Sequence, residues 1–345
     1  ILFALVAVYF INIFIFQNYQ IPSSSLEKSL LVGDYLFVSK LSYGPRVPNT
    51  PVAFPLVQNT LPFFNCKSYL DWPEWDYKRV KGLGHVKRND IVVFNFPAGD
   101  TVALKVQNPD YYHLVEQYGR EAILLNKADF GDVIYRPVDK RENYVKRCIG
   151  MPGDTIRISN DGYRVNGRLI PHSPRSLNTY IVTQAAQEEV LAAQKKLNIP
   201  LREMKEESFG ISFNLTSFEE YQIREELSED ANIRFLKNPM DTYELVVPQK
   251  GRAYRLNAAA LTACREAIRA EAGDKAVFRD GKLFLDGRET DFFFFNQDYY
   301  WMLSDNANEA VDSRHLGFIP RNHIIGNAWL CWYSKDRQRI FKPVN

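Results

Sequence analysis

Apolar positions open the chain in one block: residues 1–16 carry a single strongly polar side chain, Asn12. That block predicts a helix. A membrane anchor is the favoured reading, with a cleaved leader and a buried core helix as its rivals. A bilayer takes about 20 apolar residues, so the block is short for a span, and the expectation is an anchor whose start precedes residue 1. No basic stretch and no small-residue pattern before Gln17 supports the leader. Beyond the block the pattern changes to short runs with strand composition, at 35–38, 91–94, 144–149, 299–303 and 324–333. Gly33-Asp34 and the Gly150 to Asp154 stretch punctuate them, and 156–168 reads as a hairpin turning at Asn160-Asp161-Gly162. Residues 184–196 and 257–271 have helical composition instead, within a stretch dense in charge. The fold class expected is mainly β and antiparallel, a partly open barrel-like core with an α+β insertion. The divisions are 1–16 anchor, 17–175 and 279–345 core, and 176–278 inserted cap, with a purely stabilising role as the simplest reading of the cap.

Composition narrows the function classes. The chain of 345 residues is 46% hydrophobic, enough to bury a substantial core. Lys plus Arg number 43 against 41 Asp plus Glu, so no nucleic-acid footprint is visible. Cys66, Cys148, Cys264 and Cys331 show neither Cys-x-x-Cys spacing nor a histidine partner pattern, so no zinc site is expected and one disulfide is left open. Residues 41–80 are rich in proline and aromatics, among them Pro55, Pro62, Phe63, Phe64, Trp72 and Trp75. That segment reads equally as an ordered surface loop and as one resting in lipid headgroups.

Two stretches offer chemistry. Pro22 fixes its own φ and pushes Ile21 toward an extended conformation ahead of Ser23, Ser24 and Ser25, although such serines are more often turns or caps. In 144–149, period two places Tyr144, Lys146 and Cys148 on one face and Val145, Arg147 and Ile149 on the other. A lysine between Tyr and Cys is open to desolvation, which lowers its pKa and makes it basic; a snorkelling lysine is the plainer alternative.

These stretches, with two more, resemble the type I signal peptidase (leader peptidase) family. Its boxes appear in order as Pro22 to Leu26, Arg88 to Phe94, Tyr144 to Asp154 and Ser304 to Arg314. The resemblance implies a membrane-anchored serine endopeptidase of the bacterial cytoplasmic membrane, with its catalytic part on the extracytoplasmic face and no cofactor or metal. It implies Ser25 as nucleophile, Lys146 as general base, and an oxyanion hole from the Ser25 N–H and the Ser23 hydroxyl. Ion pairs Arg147–Asp305 and Asp312–Arg314 would support the geometry. The implied substrates are signal peptides ending in Ala-x-Ala, bound as an added strand, with Ile21, Leu30, Tyr144 and Val145 as pocket walls or plain core residues.

The last box departs from the family at Ser304, Ala307 and Ala310. Ala310 replaces the serine that bonds the lysine in relatives, which makes a weakly active or non-catalytic peptide-binding homologue the alternative reading, and makes Ala310→Ser an informative exchange. A Ser-His-Asp hydrolase using His315 near Asp312 is the other rival; no Gly-x-Ser-x-Gly elbow accompanies it.

Overall fold

A computed structural model describes residues 2–26, 29–54, 57–61, 66–97, 101–106, 111–159, 162–170, 177–200, 202, 204–238, 242–305 and 311–344. The fold is mainly β. Its main sheet runs, neighbour to neighbour, through Phe16–Gln20, Tyr35–Ser39, Ile324–Tyr333, Ile91–Asn95, Asn143–Gly150, Tyr299–Leu303 and Ile319–Pro320, with Lys342–Pro343 pairing beside Ile324–Tyr333. Every pairing is antiparallel. Register shifts interrupt the pairings of Ile324–Tyr333 with Tyr35–Ser39 and with Ile91–Asn95, and that of Tyr299–Leu303 with Asn143–Gly150. Such irregularities bend and twist strands, and the sheet curls into a half-barrel.

Ile91–Asn95 is buried at all five positions, which explains the unbroken apolar run of its first four residues. Val92 and Phe94 pack with Cys148, Met302 and Ile319. Ile91 packs with Ile21, Leu26 and Leu36, and Val93 with Val38 and Ile325. A strand covered on both faces has no polar side to show.

Two further layers build on this sheet. Thr155–Ser159 pairs with Gly162–Val165 and with Tyr243–Val246. The helix Ala258–Ala272, capped by the Asn257 side chain on the Ala260 N–H, closes over Ile156, Leu283, Phe295 and Trp301 in one core. The strands Leu177–Thr183, Lys205–Glu207, Gly210–Thr216 and Phe235–Lys237 form a separate sheet. Helices Gln184–Lys196, Ser217–Arg224 and Glu229–Arg234 bury Val190, Ile223 and Ala231 with Phe213 and Phe235 in a core of its own.

The opening apolar block behaves differently from its pattern. Its helix is Leu2–Phe14, and Phe16–Gln20 is already a strand paired with Tyr35–Ser39. Phe16 stacks edge-on against Phe37, so sheet pairing takes the last apolar residue of the block away from the helix. Thirteen helical residues rise about 20 Å. Among the described residues no helix is long and apolar enough to cross a membrane.

Candidate active site

The serine stretch is held by its own loop base. Ile21 N–H donates to Asp34 O and Gly33 N–H to Ile21 O, each at 2.9 Å, pinching the loop shut. Asp34 is buried, accepts from Leu31 N–H at 2.9 Å and pairs with Arg339 at 3.2 Å. Leu26 and Leu30 then plug the loop into the core beside Ile21 and Leu36. The 3-10 turn Ser24–Leu26 packs against the strand Asn143–Gly150. Ser25 is 6% exposed, and the Ser23 hydroxyl donates to Ser25 Oγ at 3.3 Å.

Lys146 comes from the facing strand, opposite Val92, and is 4% exposed. It and Ser25 line the same cavity of about 330 Å³, together with Ile21, Ser23, Tyr144, Val145 and Val311. The amine lies 6.0 Å from the centre of the Tyr144 ring. Burial is the main influence on it and pushes its pKa down to about 8. The Asp312 charge opposes that shift, Arg314 adds to it, and Asp305 opposes it.

Two ion pairs with little solvent exposure carry the charges that act on Lys146. Arg147 clasps Asp305 through two bonds, at 2.8 and 2.9 Å. Arg314 clasps Asp312 the same way, at 2.9 and 2.8 Å. Asp312 is fully buried and also accepts from the N–H groups of Ser304 and Arg314.

The comparisons with known proteins meet this geometry. The family model described as "Signal peptidase, peptidase S26" matches residues 1–226 and 265–333. The chain belongs to that family. It is 23% identical to the signal peptidase I of Buchnera aphidicola (subsp. Baizongia pistaciae), over 95% of this chain and 73% of the relative. It is 22% identical to the Helicobacter pylori signal peptidase I, over 96% and 79%, and 23% identical to that of Aquifex aeolicus, over 96% and 80%.

Within the signal peptidase frame, most of the residues singled out in the sequence converge. Ile21, Ser23, Ser25, Tyr144, Val145 and Lys146 share the cavity. Leu30 is not among its lining; it points into the core behind Ile21, because its backbone N–H closes a turn onto Leu26 O and leaves the side chain inside. His315 is exposed, and the Asp312 carboxylate is engaged by Arg314, so these two form no relay with Ser25. Asn306, Ala307 and Ala310 lie outside the described residues, as do Pro55 and 62–64. Ser304 is described; its hydroxyl is buried with no hydrogen-bond partner among the described residues. All four cysteines are free thiols, and burial pushes Cys148 up, out of the range of thiolate chemistry.

Sequence reasoning missed Ser29. Its hydroxyl donates to Asp305 Oδ2 at 2.5 Å and accepts from Arg147 Nη2 at 2.9 Å. The loop carrying Ser25 is thereby fastened to the residue next to Lys146. Nothing local marks Ser29, because its partners are remote in the chain. Ser29→Ala is expected to lower kcat about three- to tenfold with little change in KM, since a looser loop holds the reacting groups in register less often. A loss expressed in KM alone would remove this positioning role.

Proposed function

We propose that this chain is a type I signal peptidase, a serine endopeptidase that removes N-terminal signal peptides from exported pre-proteins, with Ser25 as nucleophile and Lys146 as general base. The observation that carries the reading is that Ser25 and Lys146, both buried, line one cavity. Membership of the family and likeness to enzymes called signal peptidase I support it.

The mechanism follows from the groups in place. Neutral Lys146 takes the proton of Ser25 Oγ as that oxygen attacks the scissile carbonyl carbon. Charge moves onto the carbonyl oxygen, for which the Ser25 N–H and the Ser23 hydroxyl are the proposed donors. Breaking the C–N bond releases the mature protein, whose new amine receives the proton from Lys146. The same amine then deprotonates a water that hydrolyses the ester and returns Ser25. Arg147–Asp305 and Asp312–Arg314 hold the walls and touch no reacting atom.

Small residues before the cut, in an Ala-x-Ala pattern, suit a cavity of this size walled by Ile21, Tyr144 and Val145, and an added-strand mode suits its strand-lined side. The helix Leu2–Phe14 is proposed to seat the chain at the bacterial cytoplasmic membrane, with the site on the extracytoplasmic face. Exposed Phe54, Trp72 and Trp75 suit headgroup contact there. Residues 176–278 are proposed as a cap inserted into the catalytic core; the separate core around Val190 and Phe213 favours this.

The pH profile follows from the amine. With its pKa held at about 8, only about a tenth of Lys146 is free base at pH 7. Log kcat/KM is expected to rise with unit slope to about pH 8 and then level. A rate already flat from pH 6 would sink the assignment of Lys146 as base. The decisive experiment is cleavage of a pre-protein bearing an Ala-x-Ala site by the detergent-solubilised chain, beside its Ser25→Ala variant. Equal cleavage by both, or peptide binding without cleavage, would overturn the proposal, the latter in favour of a peptide-binding homologue.

A further inference from the structure

Beside the catalytic cavity lies a second one of about 500 Å³, and the two share a wall. Asn143 lines both, and Gln20 of one adjoins Ile21 of the other. The segments that bound the catalytic cavity, near 21–25 and 142–146, therefore run on into the second. Its other side is formed by the apolar helix, through Tyr9, Asn12 and Ile13. The order along this path is nucleophile, shared wall, apolar helix. An extended peptide advances about 3.3 Å per residue. Asn143, on the wall common to both cavities, stands three positions before Lys146 on one extended strand, about 10 Å, so a peptide laid along that strand reaches the second cavity about four to six residues from the reacting bond.

The lining of this cavity is unbalanced in charge. Among its described residues, Lys40, Arg46 and Lys140 stand against one carboxylate, Asp139. Two of the cations are committed. Lys40 Nζ donates to Asn12 O at 2.5 Å, and Arg46 donates to Asn95 Oδ1 at 2.5 Å and to Asn322 O at 2.7 Å. Asp139 is held on one oxygen by Thr50 N–H and Oγ1, at 3.0 and 2.9 Å, while its other oxygen is buried with no partner among the described residues. Lys140 is only 8% exposed, and its amine rests 5.4 Å from the Tyr69 ring centre with no hydrogen-bond acceptor among the described residues. Burial pushes Lys140 down and Lys40 down to about 7, the behaviour of cations short of counter-charge. A carboxylate entering beside Lys140 offsets that shortage through a charge-assisted hydrogen bond.

We propose that the second cavity is a subsite for the signal segment upstream of the cleaved bond, and that Lys140 there selects an aspartate or glutamate side chain four to six residues before that bond. The inference rests on the peptidase reading above and adds a charge preference to it. The apolar helix alongside fits the same orientation, since the more upstream part of a signal segment is apolar.

The test uses the full chain in detergent and matched pre-proteins carrying Glu, Gln or Lys at the fourth, fifth or sixth residue before the cut. Glu is expected to exceed Lys about five- to tenfold in kcat/KM at one of these positions, with Gln between. In Lys140→Gln that ratio is expected to fall toward one. Equal rates for Glu and Lys at all three positions overturn the subsite and leave the peptidase reading standing. Failure to cleave any pre-protein overturns both. The first arm uses the unaltered protein, so a poorly folded variant does not shield the proposal. If Lys140→Gln instead slows all three pre-proteins equally, and only when anionic phospholipid vesicles are added, the cavity serves a lipid headgroup and the proposal fails.

Discussion

Ser25→Ala and Lys146→Met are each expected to lower kcat/KM by at least about a thousandfold, and the double variant should be no worse than either alone, because the two groups act as one unit. Lys146→Arg should be as inactive as Lys146→Met, since a guanidinium keeps its proton at any accessible pH. Lys146→Met also carries an opposite expectation for stability. The Lys146 pKa is depressed in the folded chain, so between about pH 8 and about 10.5 the unfolded chain holds a proton that the folded one lacks. Stability therefore climbs with pH across that window, and below it the full penalty applies, about 3 kcal/mol by linkage. Methionine removes the charge while keeping most of the volume. The variant should be inactive yet more stable than the parent by about 1–3 kcal/mol at pH 7, with the gap closing above pH 10. Urea unfolding at pH 7 and pH 10 checks this. An inactive variant that is less stable at both pH values would mean that Lys146 is a structural residue.

Asp312→Ala is expected to cost about 3–5 kcal/mol, the range for removing one partner of a buried pair. Its carboxylate has no exposure, and Arg314 retains only 14% of its side-chain surface, so water has little access to replace the lost carboxylate. Two backbone donors, Ser304 N–H and Arg314 N–H, lose their acceptor as well. The substitution should also reach the catalytic cavity. Asp312 is the leading charge that favours protonated Lys146, while Arg314 disfavours it. Without the carboxylate, burial and Arg314 push the amine down against Asp305 alone. In whatever folded fraction remains, the acid limb of the rate profile should move below pH 8. Thermal melting and a pH–rate profile read the two effects separately. A stable variant with an unmoved limb would show that Arg314 finds other partners and that Asp312 is electrostatically remote from the base.

Much of the secondary structure is written locally. The helical composition of 184–196 returns as the helix Gln184–Lys196, and the apolar run of 324–333 as the strand Ile324–Tyr333. Asn257, the first residue of the expected second helix, stands just outside it as the cap. In each case the period of burial and the chemistry of the end residues suffice, because both act over a few neighbours. The roles proposed for Ser25 and Lys146 have a different origin. Ordered boxes of residue types, and not any propensity, carry them.

Tertiary structure decided the rest. Phe16 left the helix for a strand because Tyr35–Ser39 offered an edge to pair with, which no count of apolar residues in 1–16 registers. Of the two readings open for Leu30, pocket wall and core residue, packing beside Ile21, Leu26 and Leu36 favours the second. Ser29 became the bolt between two halves of the site through Asp305, 276 residues away. Lys40, Arg46 and Lys140 are unremarkable cations until the fold gathers them around one cavity with a single carboxylate among its described residues. The sequence by itself determined which groups could do the chemistry and which segments would be strands and helices. The meeting of those groups, the burial that holds Lys146 near pH 8 and the charge surplus beside it were decided only by packing, because desolvation and Coulomb interactions depend on distances that chain order does not contain.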